Sequence, residues 1–140
     1  MKKLTLLFIF LACLQLQAQT VIGKWKTIDD KTGKVKSIVE IYEANGKIFG
    51  KIIEIEDAAK RTKTCLKCEG ADKNKALIGL VVIKGLSKDD DEYNGGKILD
   101  PETGDLYKCI IKLQGKDKLE VRGYMGLSFI GRSQTWTRVK

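Results

Sequence analysis

The strand–turn–strand pattern around residues 95–113 constrains the fold more than any other stretch of the chain. Its centre, Asp100–Gly104, reads DPETG and includes the single proline of the sequence. An Asp can accept hydrogen bonds from backbone N–H groups two residues on, Pro presets φ, and Gly supplies a positive φ at the exit. Apolar residues end the arm before this turn at Leu99, and the arm after it is Leu106–Leu113. Since so short a reversal joins antiparallel strands, the stretch predicts an all-β protein.

Short strands separated by turn residues recur along the chain. The predicted strands, besides the arm that ends at Leu99, are Gly23–Ile28, Val35–Tyr42, Lys47–Ile55, Leu77–Leu86, Leu106–Leu113, Lys118–Tyr124 and Gly131–Val139. Asn45-Gly46 is a strong hairpin signal, and in the strand after it Phe49, Ile53 and Ile55 are predicted to share a face. We predict an irregular loop with one short helix at residues 56–76 and an acidic loop at Ser87–Asn94.

These elements predict an eight-stranded antiparallel up-and-down β-barrel, with a sandwich as the alternative. Neighbouring strands joined by short turns are antiparallel, and closure into a barrel removes the free edges of the sheet. An eight-stranded barrel is wide enough for its own side chains or for one small ligand. The chain has 140 residues, which suits one domain.

The first 18 residues predict a cleaved export signal. Two lysines precede the apolar run Leu4–Ala12, and Ala18 supplies the small residue of a cleavage site. No later run approaches the ~20 apolar residues of a transmembrane helix. Residues 19–140 are then one exported domain, periplasmic or extracellular. Lipid attachment at Cys13 is a less favoured alternative, because Phe10 stands where such signals usually carry Leu.

Composition narrows the classes of function. The net charge is +8, and +6 for residues 19–140, because the leader holds two lysines and no acid. Lysines are mixed with acids throughout, which predicts a solvated surface rather than a nucleic-acid-binding arm. The chain has no histidine, which removes Ser-His-Asp and Cys-His catalysis and histidine metal sites. We therefore predict no nucleic-acid partner and no cofactor, and enzymatic activity is not favoured.

Three cysteines follow the leader: Cys65, Cys68 and Cys109. Export favours a disulfide, but the sequence leaves open whether Cys65 pairs with Cys68 or one of the two pairs with Cys109. A redox pair is disfavoured because the CxxC lies in a polar loop rather than at a helix N-terminus. A zinc site would need a ligand beyond the three cysteines, and no histidine can supply it.

Two acidic groups are explained by loop chemistry. The run Asp89–Glu92 lacks the alternating ligand spacing of a calcium loop. Asp100, Glu102 and Asp105 surround the hairpin turn, where acids serve turn formation. Neither group predicts a catalytic or metal site.

The last two predicted strands carry long polar side chains beside aromatic ones. Alternation places Glu120, Arg122 and Tyr124 on one face of the first strand, and Arg132, Gln134, Trp136 and Arg138 on one face of the second. We predict that these faces point inward, because Trp136 belongs to the set and a buried tryptophan usually has a partner for its ring N–H. The alternative is that they point outward as ordinary surface charges over apolar neighbours. Such an interior suits an anionic or hydroxylated small molecule. The candidate ligand-binding residues are Trp25, Arg122, Tyr124, Arg132, Gln134, Trp136 and Arg138.

The chain also resembles a bacterial exported family. The resemblance rests on Gly23-x-Trp25, Cys65-x-x-Cys68, Ile78–Leu80, Gly95–Gly104, Val121–Tyr124 and Gly131–Arg138. In these motifs it is similar to domain-of-unknown-function family 2147 (DUF2147). The resemblance implies a lipocalin-like barrel and an exported location, with no agreed activity and no catalytic residues. Gly-x-Trp is similar to the lipocalin opening, where a late arginine packs over the tryptophan; Arg138 is placed to do so.

Three functions follow from these observations. The first is an exported barrel that binds a small ligand without catalysis. The second is an envelope protein whose Cys65-x-x-Cys68 loop does thiol, redox or metal chemistry. The third is a filled barrel that meets a partner through its surface or the loop after Ile55. Oligomeric state is not specified by the sequence.

Overall fold

The computed structural model describes residues 20–127 and 129–140, and it shows a closed barrel of eight antiparallel strands. The strands are β1 (Gly23–Ile28), β2 (Val35–Ala44), β3 (Lys47–Ile55), β4 (Val81–Asp89), β5 (Glu92–Leu99), β6 (Leu106–Leu113), β7 (Lys118–Tyr124) and β8 (Gly131–Arg138). Each pairs with its sequence neighbour, and β1 pairs with β8 through Trp25–Arg138 and Lys26–Thr137. The predicted up-and-down barrel is confirmed and the sandwich is wrong. The predicted export signal and Cys13 lie outside the described residues.

The two ends of the barrel differ in their connections. The end formed by residues 20–22, 45–46, 90–91 and 114–117 has short connections, and we call it the closed end. The opposite end, which we call the open end, is formed by residues 29–34, 56–80, 100–105, 125–127 and 129–130.

The turns show where local prediction succeeded and failed. Asn45 and Gly46 have φ of 53° and 76°, as expected for a two-residue hairpin. The predicted acidic loop Ser87–Asn94 is wrong, because β4 continues to Asp89 and β5 begins at Glu92. The reversal needs only two residues, since Asp90 takes a left-handed φ of 57°. The helix predicted within 56–76 becomes two single-turn 3-10 helices, Ala58–Lys60 and Gly70–Asp72.

The core fills the barrel from the closed end upward. Its fully buried side chains include Trp25, Val39, Ile41, Ile83, Leu86, Ile111 and Leu119. The predicted face of β3 is partly wrong: Ile48, Gly50 and Ile52 are buried, whereas Phe49 stacks on Tyr42 outside at 5.9 Å between ring centroids. An irregularity in the β2–β3 pairing shifts the alternation, so Ile55 is buried on the opposite face from Phe49 and does not share its face as predicted.

The segment of residues 56–80 packs on the barrel beside the β5–β6 turn. Cys65 and Cys68 form a disulfide, and both are buried. The Cys65 Sγ lies 3.6 Å from the Pro101 carbonyl oxygen, and a Cβ at Gly104 would overlap the Lys67 backbone. Cys109 is free and buried on the inner side of β6. The disulfide therefore holds this segment in the shape that fits the β5–β6 turn.

Candidate functional site

The predicted ligand-binding residues lie in three different places of the barrel. Two of these residues, Trp25 and Arg138, cap the closed end. Trp25 is fully buried and donates its ring N–H to the Val21 carbonyl at 2.9 Å. The Arg138 guanidinium lies 4.3 Å above its ring and donates to the carbonyls of Thr20, Ile22 and Lys116. The predicted packing of Arg138 over Trp25 is confirmed. These contacts tie the N-terminal segment to the barrel.

Gly23 completes this cap. Its φ is +140°, and a Cβ there would lie 2.7 Å from Nη1 of Arg138. A side chain at this position would therefore push the guanidinium off the Trp25 ring. The Gly-x-Trp pattern and the late arginine form one structural unit.

Arg122 and Tyr124 lie on the outer face of β7, so their predicted place in the interior is wrong. The β7–β8 register pairs Leu119 with Trp136 and Arg122 with Ser133. Since directly paired residues point to the same side, Arg122 shares the outer face with Ser133, and its Nη1 donates to the Ser133 hydroxyl at 3.0 Å. The inner face of β7 is the apolar one, because Leu119 and Val121 are buried in the core.

Arg132, Gln134 and Trp136 share the inner side of β8 and form a polar chain toward the open end. Trp136 donates its ring N–H to Gln134 at 2.9 Å, and Gln134 donates to Asp30 at 2.7 Å. Arg132 pairs with the other Asp30 oxygen at 3.0 Å. The chain satisfies the tryptophan N–H as predicted. It also fixes the β1–β2 loop, which carries Asp30.

A second ionic contact crosses the open end. Glu102 in the β5–β6 turn accepts from Lys36 at 2.8 Å and lies 3.7 Å from Lys60. Lys36 is the additional residue at an irregularity of the β1–β2 pairing, which frees it from the regular alternation. The hydrogen bond and charge of Lys36 lower the pKa of Glu102. The prediction that Asp100 serves the turn holds, since Asp100 accepts from the Glu102 backbone N–H at 2.9 Å.

An open cleft of about 770 Å³ lies beside this rim, along the outer side of β1–β3. It is lined by the cations Lys26, Lys34 and Arg61, by Glu54 and Glu56, and by Val35, Ser37, Ile38, Ile53, Ile55 and Ile78. Arg61 is held by its bonds to the carbonyls of Ile55 and Glu56, at 2.8 and 3.1 Å. The cleft thus combines an apolar floor with three cations and two carboxylates.

The prediction from sequence missed this cleft. Its only sequence signal is that Ile38 and Ile53 stand among the charged residues of β2 and β3. Single apolar residues on an outer face are ordinary, so this signal alone could not have located the cleft.

The cysteines are one disulfide, Cys65–Cys68, and one buried thiol, Cys109. Burial raises the pKa of the Cys109 thiol to about 12, so the nucleophilic thiolate is scarce at neutral pH. Among residues 20–127 and 129–140, no group of three or more His, Cys, Asp or Glu side chains could hold a metal ion. No helix in the same part of the chain is long and apolar enough to cross a membrane.

The strand order and the filled closed end define the class of protein as a lipocalin-like β-barrel. The structure of protein HP1028 from Helicobacter pylori, described as belonging to the lipocalin family, matches with a TM-score of 0.77 and 25% identity. The match covers 88% of this chain and 85% of that one. Residues 23–138 match the family described as "Uncharacterized protein conserved in bacteria (DUF2147)", and the chain belongs to that family. Among curated proteins, no match was found.

Proposed function

We propose that this protein is an exported, non-enzymatic barrel that binds a small anionic molecule with an apolar body in the cleft along β1–β3. The observation that carries the proposal is the cleft itself, whose volume of about 770 Å³ falls within the range of small-molecule sites. The interior toward the closed end is filled by buried side chains. A ligand is therefore accommodated at the open end rather than deep inside the barrel.

The lining carries three cations and two carboxylates, Glu54 and Glu56, so its formal net charge is +1 (3 − 2), and an anionic group fits its lysine edge. Lys26 and Lys34 are exposed cations at the edge of the cleft, and the isoleucines provide an apolar surface between them. A carboxylate, sulfonate or phosphate would gain charge-assisted hydrogen bonds from the lysines. The apolar body of the ligand would cover side chains that are now in contact with water.

The residues of β8 have a positioning role in this proposal. Arg132 and Gln134 hold Asp30, and Asp30 belongs to the loop that also carries Lys34. A fixed loop lowers the entropy lost when the ligand binds. The disulfide supports an exported location, since such bonds persist in oxidising compartments.

The test uses anilinonaphthalene sulfonate, an anionic apolar dye whose fluorescence reports binding. We expect saturable binding that weakens roughly fivefold for each of Lys26→Gln and Lys34→Gln, because an exposed charge contact contributes up to about 1 kcal/mol. Lys47→Gln and Lys118→Gln, which remove exposed lysines at the closed end, are the matched controls. Equal affinity of the cleft variants and the controls would refute the cleft as the binding site.

A further inference from the structure

The loop between β7 and β8 carries an exposed apolar surface that the proposed ligand site does not use. Four of its side chains, Met125, Leu127, Phe129 and Ile130, are 58, 59, 75 and 60% exposed. The sequence from Met125 to Ile130 contains no charged residue. Leu106, 44% exposed at the start of β6, lies with Met125 around a smaller cleft of about 200 Å³. We call these five apolar side chains the apolar tip.

A row of cations lies directly beside the apolar tip on the outer face of the barrel. The strand register aligns Lys84 with Lys97, Lys97 with Lys108, and Lys108 with Tyr124. Lys84 is neutralised by Asp72 at 2.7 Å. Within the described part of the chain, Lys97 and Lys108 have no ion-pair partner, and both are exposed.

Folding alone does not explain this row. Like charges directly opposite one another on neighbouring strands destabilise a sheet. An anionic surface that contacts the row would turn this repulsion into attraction.

We propose that the apolar tip enters the interface of an anionic phospholipid membrane, with Lys97 and Lys108 on the lipid phosphates. Tyr124 lies between the two regions, which is the position that aromatic side chains with a polar end take at membrane interfaces. Apolar insertion together with a cluster of basic residues is the combination that gives stable peripheral binding.

A lipid surface fits the tip better than a protein partner does. A stable protein interface needs roughly 800 Å² on each partner, and one six-residue loop offers less. Insertion into a bilayer needs only a few apolar side chains. Glu69, Asp72 and Asp105 line the smaller cleft together with Leu106 and Met125, whereas Lys97 and Lys108 lie on β5 and β6. We therefore place the lipid contact on the side of the two lysines.

The test is co-sedimentation with vesicles of phosphatidylcholine alone and of equal parts phosphatidylcholine and phosphatidylglycerol. Every variant keeps the same N terminus, so any contribution of residues 1–19 is constant. We expect binding to the anionic vesicles only. The double variant Leu127→Ser/Phe129→Ser should bind the anionic vesicles at least about tenfold more weakly than wild type. In Lys97→Gln/Lys108→Gln the affinity should fall roughly fivefold for each lysine removed.

Closed-end variants serve as matched controls. Ile22→Ser removes an exposed apolar side chain, and Lys47→Gln with Lys118→Gln removes two exposed lysines; neither change should affect vesicle binding. The Leu127/Phe129 variant should still bind the anionic dye in the cleft, so the two proposals fail separately. Absence of binding to anionic vesicles, or undiminished binding by the tip variant, would overturn the proposal. The proposal would also be overturned if the wild-type protein self-associates, the tip substitutions abolish that self-association, and no vesicle binding is seen. That result would identify a second copy of the chain as the partner.

Discussion

Removal of the Arg138 side chain should destabilise the closed end more than its position near the C-terminus suggests. The guanidinium donates to Lys116 at 3.0 Å, to Ile22 at 3.0 Å and to Thr20 at 2.7 Å, while it covers the Trp25 ring. One side chain thus joins the last strand, the β6–β7 turn and the N-terminal segment. Arg138→Ala removes all four contacts at once.

The expected loss is about 2–4 kcal/mol. The three hydrogen bonds are open to water, so we take about 0.5–1 kcal/mol for each. The contact with the tryptophan ring adds about 0.5–1 kcal/mol. Arg138→Lys keeps a cation near Trp25 but cannot reach three carbonyls in different directions, so it should lose about half as much.

The measurement is urea unfolding followed by tryptophan fluorescence. Both tryptophans are buried, so unfolding exposes them to water. With a slope of about 2 kcal/mol per molar urea, Arg138→Ala should lower the midpoint by roughly 1–2 M. Arg132→Ala is the control, because its single ion pair is exposed and is expected to contribute less than about 1 kcal/mol. If the two alanine variants have the same midpoint, the proposed cap does not stabilise the barrel.

Three further predictions concern the open end and the cysteines. Replacing Cys65 and Cys68 by Ser should lower the free energy of unfolding by about 2 kcal/mol, as measured in urea, since the bridge closes a short loop; reductant should give wild type the same value. Glu102→Gln should destabilise the protein at pH 7. Because folding lowers the pKa of Glu102, its carboxylate stabilises the fold at pH values above the pKa of the unfolded state. This stabilisation is lost as the pH falls through the pKa of the folded state, so the urea midpoints of variant and wild type should converge in acid. Cys109, with its pKa raised to about 12, should resist maleimide at neutral pH and react once urea unfolds the chain; fast labelling of the folded protein would contradict its burial.

The proposed ligand and membrane sites lie at the same end of the barrel. The cleft is on the β1–β3 side, and the apolar tip follows β7. A barrel that rests on a membrane by its tip would keep the cleft beside the lipid surface. A molecule with an anionic group and an apolar body is also the kind that partitions into such a surface.

The sequence by itself determined the number of strands and their antiparallel order. Two-residue alternation and turns such as Asn45-Gly46 depend on residues close together in the chain, so they can be recognised locally. The cap of Gly23, Trp25 and Arg138 was also recognisable, because the resemblance included all three residues.

Only the tertiary structure decided which faces turned inward and which distant residues met. Alternation gives β7 two faces, and the sequence of the strand does not show which of them is buried. In the structure Leu119 and Val121 are buried in the core, so Arg122 lies on the outer face. The contact of Lys36 with Glu102 and the choice of Cys68 over Cys109 as partner of Cys65 depend on how the closed barrel places its loops. Such contacts arise from the register of the whole barrel, which short-range preferences do not set.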